Sequence, residues 1–95
     1  MYGVVRTRQF ERSFRRLKKS GVLKQNLRNE IDELILLIAE RKTLPATYQD
    51  HPLTGDMNDY RECHIQGDLL LVYQLQHERL VLVLIDVGSH SQLFG

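Results

Sequence analysis

Three histidines and one aspartate stand at points in the chain where side chains could share a proton-transfer site. His51 lies in the segment DHPL, His64 in a strand-like segment, Asp68 four residues further on, and His90 just after the last apolar run. An imidazole titrates near neutral pH, so one histidine can accept a proton while another donates one. On RNA, such a pair would deprotonate a 2′-hydroxyl for attack on the adjacent phosphate and protonate the departing 5′-oxygen.

A metal site is the alternative use of these four side chains. Histidine and carboxylate are ordinary zinc ligands, but the intervals between the four residues are 13, 4 and 22 positions. Neither a C-x-x-C nor an H-E-x-x-H signature occurs. The pattern therefore favours acid–base chemistry, and we expect neither a metal nor a cofactor. His77, in a predicted turn, is assigned no role.

The elements that would position these residues begin with a short strand and two helices. Residues 2–6 predict a strand, and Thr7 is a suitable N-cap for a first helix that ends at Gly21. A second helix is predicted from about Val22 to Arg41. Its apolar stripe consists of Leu23, Leu27, Ile31, Leu34, Ile35 and Ile38.

Three strand patterns follow a loop, residues 46–59, that is rich in Pro, Gly, Asp and Asn. They cover residues 60–66, 69–75 and 79–87, and their short connections predict an antiparallel meander. We expect an α+β fold with the order β-α-α-β-β-β. A small antiparallel sheet would carry the helical hairpin on one face, in a single domain of residues 1–95.

Alternation along the second strand pattern assigns its side chains to the two faces of the sheet. Cys63 and Ile65 are apolar and should face the helices, which puts His64 on the open face. Arg61 is then expected on the same face as Cys63 and Ile65, towards the core. The tail GSHSQLFG, residues 88–95, is too short to predict a helix. We expect serines to let it bend, Leu93 to anchor it in the core, and Phe94 to lie at the rim.

Basic charge is concentrated near the start of the chain. The whole sequence carries a net charge of +1, yet residues 6–19 hold seven Arg or Lys against the single Glu11, which leaves −5 for the remainder. A strongly basic element on a nearly neutral protein predicts contact with a polyanion. The alternative is a solvated helix face.

Cysteine content and hydropathy favour a cytoplasmic protein. Cys63 is the only cysteine, so no internal disulfide is expected, as in a reducing compartment. The first residues, MYGVVRTRQF, reach Arg6 without the apolar core of a signal peptide. The longest apolar runs, residues 34–39 and 80–85, are far too short to cross a bilayer, so no membrane partner is expected.

Three segments of the chain resemble the YafQ branch of the RelE/ParE superfamily of toxins. They are YQDHPLTG (48–55), YRECHIQGDLLLVYQL (60–75) and GSHSQLFG (88–95), and the resemblance extends over nearly the whole chain. It implies a bacterial, cytoplasmic type II toxin that cleaves messenger RNA on the ribosome. The implied fold, a small antiparallel sheet with two helices, agrees with the element pattern.

The resemblance also implies a functional set, His51, His64, Asp68, His90 and Phe94. His51 and Asp68 are then candidates for proton removal, directly or by orienting a histidine. His90 is expected to be the general acid or to stabilise charge on the scissile phosphate, and His64 can take either role. Phe94 offers a ring on which a base can stack, a contact worth about 1–3 kcal/mol in single-stranded binding.

Through the same resemblance, basic residues become expected ribosome and RNA contacts. They are Arg12, Arg15, Arg16, Lys18, Lys19 and Arg61. Ribosomal RNA is a dense polyanion, and each neutralised phosphate releases counterions. Antitoxin docking is a competing use of the helix face, and a bond to a carboxylate is the alternative for Arg61. The chain departs from the family pattern at Leu69, where a tryptophan is expected, and at Leu70, where many superfamily members have arginine.

The implied partners are the ribosome, messenger RNA and a cognate antitoxin of the ribbon-helix-helix type. Operator DNA would be bound only through the toxin–antitoxin complex. Two other functions stay open. ParE-type relatives share the scaffold but poison DNA gyrase and should not need a histidine constellation. An inactive relative would only bind its antitoxin and regulate an operon.

Overall fold

The computed structural model describes all 95 residues, which form five strands and three helices. In chain order these are β1 (Gly3–Arg6), α1 (Arg8–Lys19), α2 (Gln25–Ala39), β2 (His51–Pro52), β3 (Arg61–Gln66), β4 (Leu69–Gln76), β5 (Val81–Ser89) and α3 (His90–Phe94). Single-turn 3₁₀ helices, Ala46–Tyr48 and Gly55–Met57, flank β2. The predicted α+β class is confirmed, and β2 and α3 are additions to the predicted order.

The five strands form one sheet in the order β1-β5-β4-β3-β2. β3, β4 and β5 are antiparallel neighbours, which confirms the predicted meander. β1 lies parallel to β5 at the edge, so the sheet is mixed rather than purely antiparallel. The two helices after β1 provide a connection long enough for a parallel strand, which a hairpin cannot do.

The two long helices have clear local causes. Thr7 Oγ accepts a hydrogen bond from the Phe10 N–H at 3.1 Å, as expected of the N-cap of α1. Gly21, just beyond α1, has a φ of +82°, a left-handed conformation that favours glycine and turns the chain towards α2. α2 begins three residues later and ends two residues earlier than predicted. No helix is both long and apolar enough to span a bilayer.

Apolar side chains of α1 and α2 pack against one face of the sheet. The buried cluster includes Phe10, Leu17, Ile31, Leu34, Ile38, Cys63, Ile65, Leu71, Tyr73, Leu82, Leu84 and Val87. Cys63 and Ile65 therefore face the helices as predicted, and His64 projects from the other face. Burial raises the pKa of the Cys63 thiol to about 12, so this cysteine is not a nucleophile at neutral pH.

The C-terminal tail is a short helix, and the prediction of a bent extension was wrong. Ser89 Oγ accepts from the Gln92 N–H at 3.2 Å, while Gln92 Oε1 accepts from the Ser89 N–H at 2.8 Å, which is a capping box at the start of α3. A methyl group on Gly88 would lie 2.9 Å from Gln92 Oε1, so glycine allows the helix to approach β5. Leu93 is half-buried against Gly88 rather than anchored in the core.

Candidate active site

Pairing of β2 with β3 brings two histidines onto one glutamate. His51 is opposite Glu62 in the register, and His64 lies two residues further along β3. His51 Nε2 is 3.3 Å from Glu62 Oε1, and His64 Nε2 is 3.6 Å from the same oxygen. The two imidazole centroids are 6.1 Å apart. We call these three residues the His–Glu–His cluster.

Glu62 is the buried member of this cluster and was absent from the set expected from the sequence. The residue is 7% exposed, whereas the histidine side chains are 47% (His51) and 36% (His64) exposed. A carboxylate so far removed from water needs polar partners, and two imidazoles supply them. The alternation that put His64 on the open face puts Glu62 there too. Glu62 could therefore have been predicted from the sequence as a neighbour of His64.

The ring of His51 is held in one orientation by its own loop. Its Nδ1–H donates to the Gln49 carbonyl oxygen at 2.6 Å, because a carbonyl can only accept. Gln49 has a φ of +48°, a left-handed conformation that is uncommon for a residue with a side chain. Nε2 is left facing Glu62, so the space between nitrogen and carboxylate is suited to a proton or a metal ion.

A cavity of about 260 Å³ lies beside the cluster, with Glu62 in its lining. The other lining residues are Leu53, Thr54, Met57, His90 and Phe94. His90 and Phe94 are one turn apart in α3, with ring centroids separated by 5.4 Å. Phe94 is 38% exposed. The cavity therefore combines an ionisable ring, a buried carboxylate and an exposed aromatic face.

Asp68 contacts the backbone of the site rather than its side chains. Its Oδ1 accepts from the His90 N–H at 3.4 Å, a contact between the β3–β4 turn and the first residue of α3. Asp68 does not line the cavity that contains Glu62 and His90. Of the five residues in the expected set, the structure thus brings His51 to His64 and His90 to Phe94, while Asp68 supports α3.

The basic residues expected to contact RNA lie outside the cavity. Arg12, Arg15, Arg16, Lys18 and Lys19 are all exposed on α1. Arg61 is on the helix side of the sheet, where its Nε and Nη2 each lie 3.3 Å from an oxygen of the Asp50 carboxylate. A bond to a carboxylate was the alternative expected for Arg61. Contact between Arg61 and RNA stays a prediction.

The two departures from the family pattern are both buried. Leu69 is 8% exposed and Leu70 is 1% exposed. Neither side chain can stack on a base or neutralise a phosphate, so both functions must come from other residues. Phe94 is the aromatic side chain that the candidate cavity offers.

The donor atoms of the His–Glu–His cluster also fit a metal ion. Two imidazole nitrogens and one carboxylate oxygen lie within 4.8 Å of one another, and this donor set suits Zn²⁺, Ni²⁺ or Cu²⁺. The Nδ1–H of His51 bonded to a carbonyl is the usual outer partner of a metal-ligating histidine. The intervals along the chain did not reveal this set, because Glu62 and the β2–β3 pairing complete it.

Comparison with known proteins places the chain in a family. A family model for the YafQ toxin of bacterial type II toxin–antitoxin systems matches residues 2–95. A relative from Haemophilus influenzae that carries the YafQ name is 47% identical over 57 residues, which are 58% of this chain and 56% of that relative. The mRNA interferase toxin YafQ of Escherichia coli K12 is 40% identical over 62 residues, 65% of each chain. The aligned segments cover less than two thirds of these relatives.

Solved structures extend the similarity over the whole chain. A metal-bound toxin from Helicobacter pylori matches with a TM-score of 0.87 and 36% identity, covering 99% of this chain and 100% of that one. The E. coli DinJ–YafQ complex matches with a TM-score of 0.83 and 30% identity, covering 100% of both chains. Because the family model matches nearly every residue and these structures share the fold, the chain belongs to the YafQ family of bacterial type II toxins.

Proposed function

We propose that this chain is a cytoplasmic endoribonuclease toxin that cleaves messenger RNA on the ribosome. The observation that carries the proposal is the His–Glu–His cluster beside the cavity lined by His90 and Phe94. His90 lines the cavity and the two histidines of the cluster contact its Glu62, so candidate groups for accepting and donating a proton lie at one site. The interferase name of the E. coli relative supports the same activity.

In the proposed reaction, a histidine of the cluster accepts the proton of a ribose 2′-hydroxyl. The 2′-oxygen then attacks the adjacent phosphorus, the bond from phosphorus to the 5′-oxygen breaks, and His90 protonates that oxygen. The products are a 2′,3′-cyclic phosphate and a free 5′-hydroxyl. Glu62 stabilises the imidazolium that forms, Asp68 holds the first residue of α3, and Phe94 stacks on a base.

Binding to the ribosome falls to the exposed basic face of α1. Its five cations at residues 12, 15, 16, 18 and 19 would neutralise phosphates of ribosomal RNA. A cognate antitoxin is the second proposed partner, supported by the E. coli complex of YafQ with DinJ. We expect it to be of the ribbon-helix-helix type and to carry the toxin to operator DNA.

A transition-metal ion at the His–Glu–His cluster is a second proposal. The donor set favours it, as does the metal-bound state of the H. pylori toxin. His51, Glu62 and His64 would hold the ion, which would supply a Lewis acid. An occupied imidazole nitrogen cannot accept a proton, so acid–base catalysis by the cluster requires the metal-free state.

The test maps the 5′ ends of transcripts in a translating extract and on naked RNA. Wild-type protein should produce cuts in register with codons only during translation. His90→Ala should reduce their rate by about 100-fold or more, whereas His77→Ala, which removes a histidine from a distant turn, should not.

The alternatives predict different results. Normal cutting by folded His90→Ala protein would overturn the role of His90. DNA damage in cells without transcript cleavage would favour a gyrase poison. A protein that gives neither effect but binds its antitoxin would be a regulator only.

A further inference from the structure

A polar network on the helix side of the sheet ends next to His51. The Tyr73 hydroxyl donates to Asp50 Oδ1 at 2.5 Å, and Arg61 reaches both oxygens of that carboxylate at 3.3 Å. Arg61 and Tyr73 are directly opposite each other on β3 and β4. Asp50 is therefore fixed to two central strands at once, although it belongs to the loop before β2.

The members of this network are shielded from water to different degrees. Tyr73 is 1% exposed, while the side chains of Asp50 and Arg61 are 26% and 35% exposed. Burial, and then the bond to Asp50, raise the pKa of the Tyr73 hydroxyl, so it stays a donor throughout the neutral range. A hydroxyl enclosed in this way has no water to replace a lost acceptor.

The network is connected to His51 through two peptide units. Gln49 lies in the left-handed region with φ +48°, and its carbonyl oxygen accepts from His51 Nδ1–H at 2.6 Å. Asp50 is the residue between them. Fixing its side chain on one face of the sheet fixes the chain direction that sends the imidazole of His51 to the other face, against Glu62.

We propose that Asp50, held by Tyr73 and Arg61, is the positioning residue that sets the His51 ring against Glu62. None of the three lines the cavity beside the cluster. The effect proposed here for Asp50 and Tyr73 on cleavage therefore passes through the position of His51. The inference rests on the proposed ribonuclease function for its effect on rate, but its effect on the His51 ring is independent of any activity.

Three variants test this assignment. Tyr73→Phe removes one donor, Asp50→Asn removes the charge and keeps the size, and Asp50→Glu restores the carboxylate. Tyr48→Phe is the matched control, because Tyr48 lies in the same segment between α2 and β2 as Asp50. Its hydroxyl donates to Glu30 at 2.9 Å and does not contact Asp50. Each variant is examined by thermal unfolding, by ¹⁵N NMR of the His51 ring, and by cleavage kinetics in the translating extract.

Wild-type protein and Tyr48→Phe should show a single orientation of the His51 ring, with its Nδ1–H hydrogen-bonded to the Gln49 carbonyl oxygen. Tyr73→Phe and Asp50→Asn should show exchange between ring states. Their kcat should fall by about 10- to 100-fold with KM nearly unchanged, because the ring is misplaced while the RNA surface is intact. Asp50→Glu should recover part of the loss.

The proposal is overturned if Tyr73→Phe leaves both the His51 ring and kcat at wild-type values. The two tyrosine variants should then differ in neither thermal stability nor activity. Tyr73→Phe keeps the aromatic ring that packs in the core. It can therefore test the proposal even if Asp50→Asn does not fold. If the wild-type protein cleaves no transcript, the proposed function fails. The NMR comparison alone then decides whether the network positions His51.

Discussion

Glu62 contacts both imidazoles of the cluster and lines the adjacent cavity. A buried carboxylate between two histidines can stabilise the imidazolium of either one or, together with both imidazoles, bind a metal ion. The sequence identified the histidines by their type, because few other side chains titrate near neutral pH. It did not identify Glu62, since glutamate on a strand is most often only a solvated residue.

Glu62→Gln should therefore impair both proposed properties of the cluster. The substitution keeps the side-chain size and removes the charge that stabilises an imidazolium or a cation. We expect transcript cleavage to fall by about 100-fold and Zn²⁺ affinity, measured by calorimetry, to fall by at least about 10-fold. Glu78→Gln, an exposed glutamate in the β4–β5 turn, is the control. Wild-type values for Glu62→Gln in both measurements would exclude Glu62 from the site.

Helix α3 carries two of the candidate site residues on five residues of chain. A helix this short does not form alone. It is held by the capping box of Ser89 and Gln92, by close approach to Gly88, and by Asp68 at its first residue. None of its residues is buried. The element thus depends on the rest of the fold, while the core does not depend on it.

Deleting residues 90–95 should abolish cleavage and leave a cooperatively folded protein. The deletion removes His90 and Phe94 but no buried side chain. Circular dichroism and thermal unfolding would report the fold, and mapping of transcript ends would report activity, with deletion of Gly95 alone as the control. A truncated protein that still cleaves transcripts at codon boundaries would contradict the assignment of this helix to the site.

The core, the candidate site and the exposed basic residues lie on different parts of the molecule. Helices cover one face of the sheet, the candidate site occupies the other, and exposed cations lie along α1. The buried core cluster nevertheless contains two ionisable groups, Cys63 and Tyr73, whose pKa values are both raised chiefly by burial. Both groups are neutral in the folded state, so the free energy of unfolding should fall when the pH becomes alkaline.

Cys63 and Tyr73 should make the free energy of unfolding decrease as the pH rises above about 9. In the unfolded chain the thiol and the phenol ionise at their ordinary pKa values of 9.0 and 10.0, whereas the folded groups retain their protons to higher pH. The contribution of each group is therefore complete below its unfolded pKa. Above that value, it is lost by about 1.4 kcal/mol per pH unit until the folded pKa is passed.

Urea unfolding at pH 8, 9, 10 and 11 would measure this slope. Cys63→Ala should flatten it between pH 9 and 10, where the thiol alone contributes. A wild-type stability that stays unchanged to pH 11 would show that neither group is protonated preferentially in the folded state.

Local patterns were enough to predict most of the secondary structure. Periodicity gave α1, α2 and the three long strands to within about three residues at each end, and the core parity of Cys63 followed from alternation. Neither β1's direction nor α3 could be predicted in this way. The direction of an edge strand depends on its neighbour, and five residues are too few to display a helical period.

By itself, the sequence determined the fold class, the face on which His64 lies and the histidines that could transfer protons, because residue type and spacing act locally. Only the tertiary structure decided that His51 meets His64 across Glu62, and that Asp50 joins Arg61 and Tyr73 behind them. Those contacts depend on pairing between strands and loops that are distant in the chain. Such pairing is fixed by the packing of the whole sheet and not by any single segment.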